Sequence, residues 1–296
     1  MILYWLLRPI VFILEHIPFF ILRAISKTAA AILWHTSKKR RKTAIKNAEI
    51  LGAKDPVFVA RKSVDYTFMA YIDMVKAHSI TQKFVDKYVD IEGFEIYEKV
   101  KKETDNIVFL GGHFGAWSLT GTIFYKATGI KLITIGRSTY NKSMDKLLDY
   151  LRTFDGVAYI NHKGAMAKLG EYIAKGYHAG VFLDHIAPDK DCIYAPFCNY
   201  KVPVIAGIPM FAVRKNSPIL FFFCMYSGSR LKMFIKGPIY PNTSLPVKER
   251  LYKLICDINN VYEEVYRKYP EQWYLIHRRF KRIKDDNDNL IPNIYE

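Results

Sequence analysis

Four cysteines are few for 296 residues, and Cys192, Cys198, Cys224 and Cys256 form no CxxC pair and have no histidine at ligand spacing. That excludes the common zinc signatures and a disulfide scaffold, and it suits a reducing compartment. The chain has no run of about 18 uncharged apolar residues, so no conventional spanning helix is expected. A GxSxG elbow, a Walker loop and a GxGxxG fingerprint are all missing. Internal repeats and low-complexity linkers are missing too. Acidic residues are scarce: 28 Asp+Glu face 44 Lys+Arg, a formal net charge of +16. That excess calls for an anionic partner, which could be nucleic acid, a phospholipid surface or a phosphorylated substrate. With 50% hydrophobic and 24% charged residues, the chain can bury a sizeable core, and wholesale disorder is excluded.

Residues 1 to 37 are intensely apolar but carry Arg8, Glu15, Arg23 and Lys27. The order of a secretory signal peptide is absent. At about 100° per residue these charges share an arc of about 120°, and the apolar residues of the segment include Trp5, Leu7, Phe12, Leu14, Phe19, Phe20, Leu22 and Trp34. The pattern is amphipathic with interfacial aromatics, and Pro9 and Pro18 are expected to divide it. Lys38-Lys39-Arg40-Arg41-Lys42 follows at once. Each such residue near an anionic leaflet contributes on the order of 1 kcal/mol. An apolar wedge with a polybasic stop is expected to attach the chain to a phospholipid surface, the basic run facing the cytoplasm. The competing reading is a pair of buried helices covering the main domain.

Residues 44 to 100 read as helical. Then short apolar runs recur at Asn106–Gly112, Leu132–Ile135, Val157–Ile160, Gly180–Leu183, Ile219–Cys224 and Leu231–Ile235, with helical patterns such as Met166, Leu169 and Ile173 between several of them. Strands alternating with helices predict an α/β fold: one layered domain with a central, largely parallel sheet flanked by helices. A long amphipathic helix is expected over Val247 to Tyr269, with the stripe Leu251, Leu254, Ile258, Tyr262, Val265, Tyr269, ended by Pro270. The divisions are 1–37 as attachment helices, 38–284 as the α/β domain, and 285–296 as a polar, frayed tail.

In open α/β sheets, sites form at the carboxyl ends of strands. Those ends deliver Gly112-His113-Phe114-Gly115-Ala116-Trp117-Ser118, Gly136-Arg137-Ser138 and Asp184-His185. Glycines flanking His113 allow close backbone approach to a ligand. A histidine before a helix N-terminus is also placed where negative charge is favoured. A lone histidine or arginine is otherwise as readily structural, and Asp184 could equally cap the following loop.

Four blocks occur in order: Gly112-His113-Phe114-Gly115-Ala116-Trp117; Gly136-Arg137; Phe182-Leu183-Asp184-His185; and Pro270-Glu271-Gln272-Trp273-Tyr274-Leu275-Ile276-His277-Arg278-Arg279-Phe280-Lys281. The succession resembles the bacterial lipid A biosynthesis acyltransferases, the late lauroyl/myristoyl transferases, over roughly residues 1 to 283. The resemblance implies transfer of an acyl chain from acyl carrier protein (coenzyme A being the other possible donor) to a hydroxyl of a lipid A precursor or related glycolipid or phospholipid. It implies no metal or other cofactor, and work at the cytoplasmic face of the bacterial inner membrane. His113 would be the general base, and Arg137 or backbone amides of the next helix would stabilise the oxyanion or hold phosphate. Gly112, Trp117, His277, Arg278 and Arg279 would bind substrate. One position departs from the family pattern, which has an acid five residues after the histidine; here it is Ser118. Either Asp184 takes the orienting role, or the chain is an impaired homologue that binds lipid without catalysis. A nucleic-acid partner is not expected, because the basic runs lack a recognisable module with interleaved aromatics.

Overall fold

The computed structural model describes every residue except Met1, Tyr140, Asp189 and Asp191, and only the backbone of Ile2. Four helices open the chain: α1 (Ile2–His16), α2 (Phe19–Thr36), α3 (Lys38–Ile50) and α4 (Pro56–Lys76). After them come α5 (Gln82–Tyr88), β1 (Val89–Glu92), α6 (Phe94–Glu103), β2 (Val108–Gly111), α7 (Trp117–Thr128), β3 (Lys131–Gly136), α8 (Lys142–Arg152), β4 (Val157–Asn161), α9 (Ala165–Ala174) and β5 (Tyr177–Phe182). The chain ends with β6 (Cys192–Phe197), β7 (Tyr200–Ile205), α10 (Gly207–Lys215), β8 (Ile219–Ser227), β9 (Arg230–Ile239), α11 (Val247–Lys268), β10 (Ile283–Lys284) and β11 (Leu290–Ile291).

Seven strands form the main sheet in the order β1-β9-β8-β2-β5-β3-β4, all neighbours parallel except β8 and β9. Alternation along β2 sends Val108 and Leu110 into one apolar layer with Leu254, Ile258 and Tyr262 of α11. It sends Phe109 into the other, with Leu119, Ile123 and Phe124 of α7. Each central strand is thus covered on both faces, which is why its text is a continuous apolar run. The helix expected over 247–269 is α11, ending one residue early at Lys268. Its stripe is buried as expected apart from the half-buried Tyr269, and Tyr266 joins it.

Several expectations need correction. The stretch 44–100 is not wholly helical, because Val89–Glu92 pairs with β9 as a parallel edge strand. Four residues are too few to show periodicity against helical neighbours. A second, four-stranded sheet, β11-β10-β7-β6, was not expected. Pro196 and Pro203 interrupt its strand text, since proline demotes a run in sequence reading. The tail is not frayed: β11 pairs with β10, and the Tyr295 hydroxyl donates to Asn47 Oδ1 at 2.5 Å. Pro9 does not divide the first helix; α1 runs through it and only Pro18 marks a break. Packing of α1 against α8, with Val11, Leu147 and Leu151 buried together, outweighs the missing backbone hydrogen bond.

Arg8, Glu15, Arg23 and Ser26 of α1 and α2 are shielded against the domain, whereas Lys27 and Thr28 are exposed. Arg8 lies 3.7 Å from Glu15 and over the Tyr150 ring, and the Tyr150 hydroxyl donates to Glu15. Ser26 and Ala30 are buried, whereas Trp5, Leu6, Ile10, Phe12, Ile13, Phe20, Ile25 and Ile32 are exposed. No described helix is long and apolar enough to cross a membrane. Within the basic run, Lys38, Lys39 and Lys42 point outward, but Arg40 donates to the Ile276 carbonyl at 3.0 Å and Arg41 to that of Trp34 at 2.8 Å.

Candidate active site

The register of β2 on β5 pairs Gly111 with Phe182, so two residues further on His113 emerges beside Asp184. Gly112 makes that turn possible. A Cβ there would collide with the Tyr266 hydroxyl and lie 3.3 Å from Asp184 Oδ2. Gly115, at φ +54°, lets the chain press against the Cys224 carbonyl before α7 begins.

His113 Nδ1 donates to Asp184 Oδ1 at 2.9 Å, and the His113 backbone amide donates to Oδ2 at 2.8 Å. The Tyr266 hydroxyl and Trp273 Nε1 also donate to Oδ2, each at 3.1 Å. An ionised carboxylate only accepts, so Nδ1 carries a proton, and in the neutral form of the ring the lone pair is at Nε2. Burial alone would raise Asp184. The adjacent His113, its hydrogen bonds and the nearby His185 outweigh that and hold the carboxyl well below the usual range. The His113 side chain is 23% exposed and that of Asp184 2%. The imidazole is therefore reachable while its partner is sealed.

The His113 ring is flanked on one face by His185, with centroids 3.7 Å apart and planes at 6°. His185 in turn stacks on His277 at 4.2 Å and 4°. Crowding by protein and the neighbouring His113 push His185 down, so it is neutral at physiological pH although one edge stays open to water. Burial pushes His277 down to about 4. Trp117 and Tyr274 stand 5.8 and 5.9 Å from the His113 ring, and Tyr274 shares a 2.7 Å hydroxyl contact with Tyr71. These rings make an aromatic wall beside the His113 imidazole.

Ser118 does not meet His113. Its hydroxyl donates to the Ala70 carbonyl of α4 at 2.7 Å, because the first turn of α7 faces that helix. Arg137 follows β3, one strand beyond β5, and is exposed. Two strand spacings put it roughly 10 Å from His113. Arg279 is not placed to bind substrate: it is buried, donating to the carbonyls of His185 and Pro203, and burial pulls it down to about 10. Arg278 lies over the Tyr295 ring. The amides of His113, Phe114, Gly115 and Ala116 are already engaged, so of the α7 N-terminus only Trp117 and Ser118 can still offer donors.

The C-terminal block is mainly a clamp. Gln272 accepts from the Gly115 amide through its carbonyl and holds Tyr226 through its side chain, while the Tyr274 amide donates to the His113 carbonyl at 3.0 Å. Sequence reasoning missed Tyr266, although it lies one turn after Tyr262 on the buried stripe. It also gave no separate role to Trp273, which sits inside the quoted block. No group of three or more His, Cys, Asp or Glu able to hold a metal exists among the described residues. The stacked imidazoles cannot aim their lone pairs at one point. A cavity of about 390 Å³ lies away from His113, lined by Asp145, Asp149, Tyr159, Lys168, Glu171 and Lys175 among others; its mixed charges do not suit an acyl chain.

Residues 1–282 match the family model described as bacterial lipid A biosynthesis acyltransferase, and the chain belongs to that family. Among curated proteins nothing matches it.

Proposed function

We propose that this member of the lipid A biosynthesis acyltransferase family transfers a fatty acyl chain from acyl carrier protein to a hydroxyl of a lipid A precursor or related glycolipid, with His113 as general base. The observation that carries the reading is the His113–Asp184 pair, its imidazole partly exposed, at the carboxyl end of parallel strands. The acceptor hydroxyl oxygen attacks the thioester carbonyl as its proton passes to Nε2. The tetrahedral intermediate then expels the thiolate, which takes the proton back from the imidazolium. Ester and free thiol are the products, and no metal or redox partner enters the balance. Asp184 stabilises the imidazolium and fixes the tautomer, and a positioned base contributes roughly 10² to 10⁴ in rate. Trp117 and Ser118 amides, or Arg137, are the donors available to the developing oxyanion.

The outward apolar residues of α1 and α2 and the outward Lys38, Lys39 and Lys42 support attachment to one leaflet on the cytoplasmic face of the inner membrane. The best ground for the non-enzymatic, lipid-binding reading is Ser118, and the Asp184 carboxylate hydrogen-bonded to His113 supports the enzymatic reading instead. The test compares cells making the intact protein with cells making His113→Ala, by mass spectrometry of membrane lipids after fractionation. The intact protein is expected in the membrane fraction, with one added acyl chain on a glycolipid that the variant does not produce. Equal acylation by both would remove His113 as the base. Recovery of the intact protein in the soluble fraction would remove the membrane reading.

A further inference from the structure

His113 is held at one edge by Asp184, and a ring fixed only through Nδ1 can still rock about that hydrogen bond. The next residue in the chain removes this freedom. His185 lies face to face with His113 at 3.7 Å and 6°, closer and more nearly parallel than any other ring beside it. Phe182 meets His113 edge-on at 5.1 Å, and Trp117 and Tyr274 are tilted, so none of these fixes the ring plane.

The far side of His185 is occupied by His277 at 4.2 Å and 4°, and the His185 carbonyl accepts from buried Arg279. The backbone at His277 is pinned in turn: its carbonyl accepts from Asn47 at 2.8 Å, and Arg40 donates to the preceding carbonyl. His277 Nδ1 is buried with no hydrogen-bond partner among the described residues. Leaving a buried polar atom without a partner costs at least as much as one aromatic stacking pair returns. Stability alone gives a poor account of an imidazole here.

We infer that His185, backed by His277, is a positioning residue that sets the plane of the His113 imidazole so that Nε2 meets the acceptor hydroxyl. This rests on the reading of His113 as base. Because His185 and His277 are held neutral, they also leave His113 as the member of the column that takes up the proton. A neutral π-face beside the resulting imidazolium is favourable, whereas a second cation would repel it.

The experiment uses the full-length protein in detergent micelles, with lauroyl-carrier protein as donor and a lipid A precursor as acceptor. His185→Ala and His185→Gln are expected to lower kcat about 10- to 100-fold, as misorientation of a reacting group does, with KM and thermal midpoint little changed. His185→Phe, which keeps an aromatic plane, should restore most of the rate. In parallel, NMR of the labelled histidine rings reports the stack directly. The His113 Cε1 proton should move downfield in His185→Ala, as the neighbouring ring current is lost, and stay near its place in His185→Phe. An unchanged kcat in His185→Ala, or a His185→Phe as slow as His185→Ala, overturns the inference. If the intact protein transfers no acyl chain, the proposed function falls on that ground. The NMR arm then still decides whether His185 sets the plane of His113, and an unmoved resonance would sink that too.

Discussion

Two buried aspartates show how differently one fold treats the same group. Asp184 lies beneath the site with four hydrogen bonds from His113, Tyr266 and Trp273. Asp73 lies in α4, buried against Tyr226, whose hydroxyl donates to it at 2.6 Å, with Arg23 as a more distant charge. Burial pushes Asp73 up to about 6, and the Tyr226 bond only partly offsets this. At Asp184 burial is the larger single influence as well, yet the combined partners reverse it. Burial therefore does not decide the charge of a carboxyl group. The number and charge of its donors do, and this protein concentrates them on the carboxylate that faces His113.

The largest effect that sharpens this contrast is expected for Asp184→Asn. An amide nitrogen cannot replace a charge, and it would face the donors now aimed at Oδ2. Turnover should fall by about 10²–10⁴ while the fold persists, checked by acyl-transfer assay beside near-UV circular dichroism. A variant retaining full turnover would make Asp184 no more important to the site than Asp73.

The pH dependence of stability should separate the two carboxyls next. Asp184 is depressed in the fold, so its contribution is present above the ordinary carboxylate pKa and is lost as pH falls below it. Asp73 is raised, so its contribution is present below the ordinary value near 4 and is lost as pH rises through about 6. Asp73→Asn should therefore stabilise the protein at pH 7.5, by up to something on the order of 2 kcal/mol, and gain nothing at pH 4. Denaturant unfolding at the two pH values measures this. Equal stabilisation at both would contradict the assignment of a raised Asp73.

The smallest effect is expected at Ser118. Ser118→Ala loses one hydrogen bond to the Ala70 carbonyl, about 0.5–1.5 kcal/mol of stability, with turnover nearly unchanged. Ser118→Glu added to Asp184→Asn should not rescue activity, since position 118 faces α4 rather than the imidazole. Recovery in the double variant, read in the same transfer assay, would put an orienting acid at 118 after all.

Local pattern carried far in this chain. The strand ending in Gly111-Gly112-His113, the strand ending in Asp184-His185 and the stripe of α11 were all legible, because each is written in adjacent residues or in one helical period. The second sheet and β1 were not, being short and broken by proline or set among helices.

By itself the sequence determined which chemistry-bearing residues stand at strand ends, that an apolar amphipathic segment precedes a basic run, and to which family the chain belongs. Only the tertiary structure decided that His113 meets Asp184, 71 positions away, rather than Ser118, five positions away. The strand order β2-β5 and its register set that meeting, and no periodicity within either strand encodes its neighbour. The same holds for Arg279, whose basic text suggests an open ligand site until the carbonyls of His185 and Pro203 enclose it. Backbone period is a local property of the chain. A side chain's partner depends on which distant segment is packed against it, and that is fixed only when the layers close.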